Sequence, residues 1–108
     1  MKPSAAKMIS ARGRSTALHL AGLVHRARLA RNLTQADLAE RARVSPGSIH
    51  RLEQAEPGVA LWVWLNAMEA LGLLDALQAL RDPATEAILG AAASRRAGGS
   101  RSTPDLDF

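Results

Sequence analysis

The chain has no cysteine and no tyrosine, and with one phenylalanine and two tryptophans its aromatic content is 3%. The first absence removes any disulfide framework and any thiolate metal site. The shortage of aromatics, beside abundant Ala, Leu and Arg, removes residues from which strands are commonly built, and no hairpin turn signal occurs. No apolar run is long enough to span a bilayer and no signal-peptide pattern is present. A soluble, cytoplasmic protein with no membrane association is expected.

Signals for chemistry are equally sparse. The imidazoles are His19, His25 and His50. His19 and His25 are six residues apart, which puts them on different faces of a helix, and no carboxylate joins them in the sequence, so no metal site is expected. Ser45, Ser48 and His50 are close neighbours, but a nucleophile needs an oriented base and a pocket, and helix capping explains serine here. Gly98-Gly99 follows no strand and makes no phosphate loop. Neither an enzyme nor a bound cofactor is expected.

What is present points to an all-α domain. At 108 residues the chain can bury a core only just large enough to fold alone, so association with a second copy would help. The net charge of +4 is unevenly spread: residues 1–60 carry ten Lys/Arg and four Asp/Glu, and residues 61–108 carry four and six. A basic front half of this kind is either a solvated arginine-rich surface or a surface for phosphates, whose neutralisation releases counterions.

Residues 1–15 lack sustained periodicity and read as a disordered basic stretch, either a plain flexible terminus or an arm for a DNA minor groove. The spacing of Leu20, Val24, Ala27 and Ala30/Arg31 predicts a first helix beginning at Ser15 or Thr16 and ended by Asn32. Thr34 then caps a short helix whose buried face is Leu38, Ala39 and Ala42. Ser45-Pro46 opens another, with Ile49 and Leu52 inward and Val44 plugging the angle between the two. Leu61, Trp64, Leu65, Met68 and Leu71 are expected on the core face of the following helix, with Trp62 and Val63 off it. Gly72 stops that helix, Leu73-Leu74-Asp75 begin another, and Asp82-Pro83 starts a last one running to about Ala93. Residues 94–108, SRRAGGSRSTPDLDF, read as a disordered tail.

Two short helices at a tight corner form a helix-turn-helix. With Gln35, Leu38-Ala39, Val44-Ser45, Ile49 and Glu53 at these spacings, the stretch from about Leu18 to Leu71 resembles the Cro/repressor-type (XRE) family. The resemblance implies a lambda-repressor-like domain of five or six helices over residues 16–93, whose second motif helix enters the DNA major groove. It also implies that Arg28 pairs with Glu53 and that Gln35 clamps a phosphate. This chain departs from the family's glycines at two places, Arg43 before Val44-Ser45 and Ala55 after the glutamate segment. A non-glycine residue in the left-handed turn at 43 is strained.

If the second motif helix starts at Pro46, then Pro46, Gly47 and Arg51 face outward, and Arg51, with Ser48 beside it, is the expected base reader; His50 is the alternative. Ser45 at the helix N-terminus and Arg43 by charge join Gln35 as phosphate contacts. Surplus leucines between Val59 and Leu89 suggest a homodimer on a palindromic operator.

A narrower likeness follows from Gly58-Val59, Ala70-Leu71-Gly72-Leu73 and Asp82-Pro83-Ala84-Thr85. These segments resemble the HipB-type antitoxins, repressors encoded beside a HipA-type Ser/Thr kinase toxin. Trp62, Leu106 and Phe108 would then anchor the partner. The alternative is a stand-alone regulator of phage or developmental type, without a toxin.

Overall fold

The computed structural model describes residues 5–99, and every regular element among them is helical. One turn, α1 (Ala5–Met8), precedes six helices: α2 (Ala11–Ala30), α3 (Gln35–Ala42), α4 (Pro46–Glu53), α5 (Leu61–Ala70), α6 (Leu74–Gln78) and α7 (Pro83–Gly99). The chain divides into a unit ending at Gln78 and a second beginning at Ala79.

In the first unit α3 packs on α4 and α5, and α2 packs on α4. Val24, Leu38, Ile49, Leu52 and Leu71 are fully enclosed, and Val63, Ala67 and Met68 complete the core from α5. Val44 and Val59, both in loops, pack against it. Burying this much aliphatic surface is what makes three eight- to ten-residue helices stable, since none would persist alone.

Four helices stop in the same way. Asn32, Arg43, Ala55 and Gly72 take left-handed φ values of 55°, 60°, 58° and 75°. After each, the next amide reaches back five residues: Leu33 to Arg28, Val44 to Ala39, Glu56 to Arg51 and Leu73 to Met68. This Schellman ending satisfies carbonyls that a helix terminus leaves free, and it turns the chain sharply. Only one of the four positions is glycine.

Several expectations are corrected. Ser10, not Ser15 or Thr16, starts α2: its hydroxyl accepts from the Gly13 amide at 2.9 Å, while Thr16 donates to the Arg12 carbonyl from inside the helix. Residues 11–15 are therefore helix rather than disordered arm; residues 1–4 lie outside the described residues. The buried line of α2 is Ala21, Val24 and Arg28, and Ala30 and Arg31 are exposed. On α5 the core line is Val63, Ala67 and Leu71, flanked by Met68, whereas Leu61 is 71% exposed. The reason is register: α3 approaches α5 from the Val63 side. Leu61 and Leu65 instead join Ile9, Leu20 and Leu77 around an apolar groove of about 300 Å³, which Trp64 also lines while packing against the core as expected.

In the second unit Asp82 caps α7, its carboxylate accepting from the Ala84 amide and the Thr85 hydroxyl. Hydrogen bonding from Thr85 holds that carboxyl below its usual range, and the Ala84 amide adds to the effect. α7 runs to Gly99, past Ala93, so the first part of the expected tail is helical; residues 100–108, with Leu106 and Phe108, lie outside the described residues. No helix among the described residues is long and apolar enough to cross a membrane.

Candidate nucleic-acid interface

α3 and α4 are short helices with strong starts. Thr34 accepts from the Asp37 amide at 3.0 Å while Asp37 accepts from the Thr34 amide at 2.9 Å, a reciprocal capping box. The Thr34 backbone bond holds the Asp37 carboxyl below its ordinary value. Ser45 caps α4 by accepting from the Ser48 amide at 3.1 Å, and Pro46 occupies the first turn, where its missing donor is not needed. Ala42 and Val44 flank Arg43, whose left-handed backbone turns the chain from α3 to α4.

Ile49 and Leu52 fix the roll of α4, each with no exposed surface. Pro46, Gly47, His50 and Arg51 are consequently on the exposed side, with Ser48 half-buried between them. The Ser45 and Ser48 hydroxyl oxygens are 2.9 Å apart, and an Arg51 Nη2 donates to Ser48 Oγ at 3.3 Å. A Cβ on Gly47 would lie 3.3 Å from Arg51 Nη1, so a residue without a side chain leaves room for the guanidinium to fold back along the helix. The exposed side of α4 thus presents two hydroxyls and one guanidinium on one surface, beside the uncluttered backbone of Pro46 and Gly47. Such a surface can donate to phosphate oxygens and to the acceptor edge of a base. Arg43 and Ser45, placed in the phosphate set, are both exposed beside it.

Behind this surface lies a buried charge cluster. Arg28 Nε donates to Glu53 Oε2 at 2.7 Å and Nη2 to Oε1 at 2.9 Å, a bidentate pair. Arg28 Nη1 also donates to the Leu33 carbonyl at 2.8 Å. Arg28 is 7% exposed and the Glu53 side chain 3%. Burial pushes the Glu53 carboxyl up, but hydrogen bonds from Arg28, His25 and Gln35 outweigh it and hold it at about 2. The hydrogen bond to Glu53 raises the Arg28 guanidinium in turn. The pair ties the last turn of α2 to the last turn of α4 and so sets the angle of the helix that carries Arg51.

Two members of the cluster were not legible as such. Gln35 is half-buried and donates from Nε2 to Glu53 Oε1 at 3.2 Å, so the residue assigned to phosphate already has a partner inside the protein. His25 does have a carboxylate beside it after all: its Nδ1 is 2.8 Å from Glu53 Oε1. The signal available was its position one helical turn before Arg28, which puts both on the same face of α2. Trp62 is 57% exposed in the first turn of α5.

No curated protein and no solved structure matches the chain. A family model described as a helix-turn-helix domain matches residues 19–82, which takes in the buried charge cluster, both motif helices and α5. On the match and on the α3–corner–α4 geometry together, the chain belongs to the DNA-binding helix-turn-helix family, of the XRE/Cro type.

Proposed function

We propose that the protein is a sequence-specific transcriptional repressor that binds a palindromic operator as a homodimer, with α4 in the major groove. The observation that carries this reading is the first turn of α4, where Ser45, Ser48 and Arg51 gather on an exposed surface while Ile49 and Leu52 anchor the helix from behind. Arg51 reads guanine, Gly47 and Pro46 let the backbone approach, and Arg43, Ser45 and Gln35 hold phosphates. For Gln35 this requires its amide to keep Glu53 with one donor hydrogen and offer the other. Dimerisation draws on Leu61, Leu65, Ile88 and Leu89, all exposed in one chain.

The test is selection from random duplexes followed by titration of the best sequence and an unrelated one across a salt series. The reading requires a palindromic winner, tighter binding to it than to the unrelated duplex, and affinity that falls steeply with salt. Equal affinity for both duplexes would overturn it.

A second reading adds a HipA-type kinase toxin as partner, making the protein a HipB-like antitoxin. It is favoured by the exposed Trp62, since buried tryptophans dominate protein interfaces, and by the segment likeness of residues 58–85. Co-purification with the product of the neighbouring gene, lost on Trp62→Ala, is its test. A chain that captures no kinase-like partner is the stand-alone regulator.

A further inference from the structure

Resting on that DNA-binding reading, we infer that Asn66, a residue of α5 remote from the exposed surface of α4, is a positioning residue that holds the α3–α4 corner in its DNA-competent shape. The starting point is an uncompensated local defect. Arg43 is a side-chain-bearing residue at φ 60° and ψ 41°, a conformation disfavoured for every L residue because Cβ crowds the following carbonyl. That one residue sets the direction in which α4 leaves α3. Left to itself the backbone at 43 prefers to relax to negative φ, and any such relaxation swings the N-terminus of α4, with Ser45, Ser48 and Arg51 on it.

Within the corner, the Arg43 amide donates to the Glu40 carbonyl at 3.2 Å and the Val44 amide to the Ala39 carbonyl at 3.0 Å. These bonds satisfy the carbonyls of residues 39 and 40 and leave that of Ala42, which belongs to the peptide plane immediately before Arg43. Asn66 supplies the partner: its Nδ2 donates to the Ala42 oxygen at 3.0 Å, half-buried, across 24 residues of sequence. Rotating that plane is the motion by which the φ of Arg43 would relax. The amide of Asn66 therefore pins the degree of freedom that the missing glycine would otherwise leave relaxed without strain. Its backbone is itself fixed, because Val63 and Ala67 on either side of it in α5 are buried in the core against α3. Arg41, Arg43 and Glu69 line the same polar cleft, so the bond sits among groups that can solvate a broken corner but cannot replace it with an amide donor of fixed direction.

The role makes a prediction that simple packing does not: the need for Asn66 should disappear when residue 43 has no Cβ. Five chains test it: the natural sequence, Asn66→Ala, Arg43→Gly, the double variant, and Asn66→Asp as a version of equal size that lacks the donor. Amide exchange is read at Val44, inside the corner, and at Val24, in the core of α2. Duplex affinity is read on a sequence selected in vitro with the natural chain, well below the unfolding temperature.

Asn66→Ala should speed exchange at Val44 by about tenfold, the effect of one net hydrogen bond, and leave Val24 unchanged. It should weaken the selected duplex by a similar factor. In the Arg43→Gly background the same substitution should move both readouts by less than about twofold. Equal effects in the two backgrounds, or equal acceleration at Val24 and Val44, would overturn the assignment. The exchange readout needs no DNA, so a natural chain that binds no duplex would defeat the DNA-binding reading while the corner is still judged by exchange.

Discussion

At the scale of single residues, the chain keeps a strong buried pair and, among the described residues, tolerates left-handed backbone at three positions that carry side chains. Removing one partner of the pair leaves the other's charge uncompensated, so Arg28→Ala should lower the unfolding free energy by about 3 kcal/mol in urea titrations. The carboxyl of Glu53 titrates at about 2 in the folded chain against an ordinary 4.5, which fixes the sign of its pH dependence. Above pH 4.5 both states are ionised and the contribution is complete. As pH falls from there towards 2 the unfolded chain takes up a proton that the folded chain refuses, and stability is lost. The urea midpoint should drop across this window, and Glu53→Gln should flatten the drop. At Arg43, exposed and left-handed, replacement by glycine relieves about 1–2 kcal/mol of conformational strain and returns up to about 1 through the looser unfolded chain. A net gain of between zero and about 2 kcal/mol should follow. Ala55 shares the backbone but is 1% exposed, so Ala55→Gly also removes a buried methyl and should be close to neutral.

At the scale of helices, starts were more legible than faces. Thr34, Ser45-Pro46 and Asp82-Pro83 declare their roles because capping is local: a hydroxyl or carboxylate reaches an amide two or three residues on, whatever lies around it. Ser10 uses the same chemistry, but the residues after it lack the apolar period that marks a helix in the sequence. Faces depend on neighbours. Leu61 and Leu65 are larger than Val63 and Ala67, yet the small pair is inside because α3 comes close on that side and leaves little room. The exposed face of α4 was readable only because Ile49 and Leu52 define its opposite. The cap on that helix is measurable: Ser45→Ala should cost about 1 kcal/mol and weaken selected and unrelated duplexes alike. Arg51→Ala should instead erode the preference between them, by about 1–3 kcal/mol. A parallel loss on both duplexes would move Arg51 to the phosphate group. What sequence alone could not place was the meeting of His25 and Gln35 at Glu53 and of Asn66 with the Ala42 carbonyl, since each bond joins residues 18 to 28 positions apart.

At the scale of the whole molecule, a basic front and a leucine-rich back divide the labour proposed here, DNA on one and self-association on the other. Light scattering at micromolar concentration should give twice the monomer mass, and Leu61→Glu with Leu65→Glu should halve it without unfolding the core, because neither side chain is buried. The location of the two tryptophans has a spectroscopic consequence. With no tyrosine in the chain, intrinsic fluorescence comes almost entirely from Trp62 and Trp64, both on α5, while α7 carries no aromatic residue. Circular dichroism weights every helical residue, including the 17 of α7, of which none from 83 to 97 is buried. A melt followed by emission should therefore be sharp, and the same melt followed by ellipticity should carry an additional shallow slope from a helix that frays without a core. Adding a partner that covers α7, whether a second copy or another protein, should bring the two curves together.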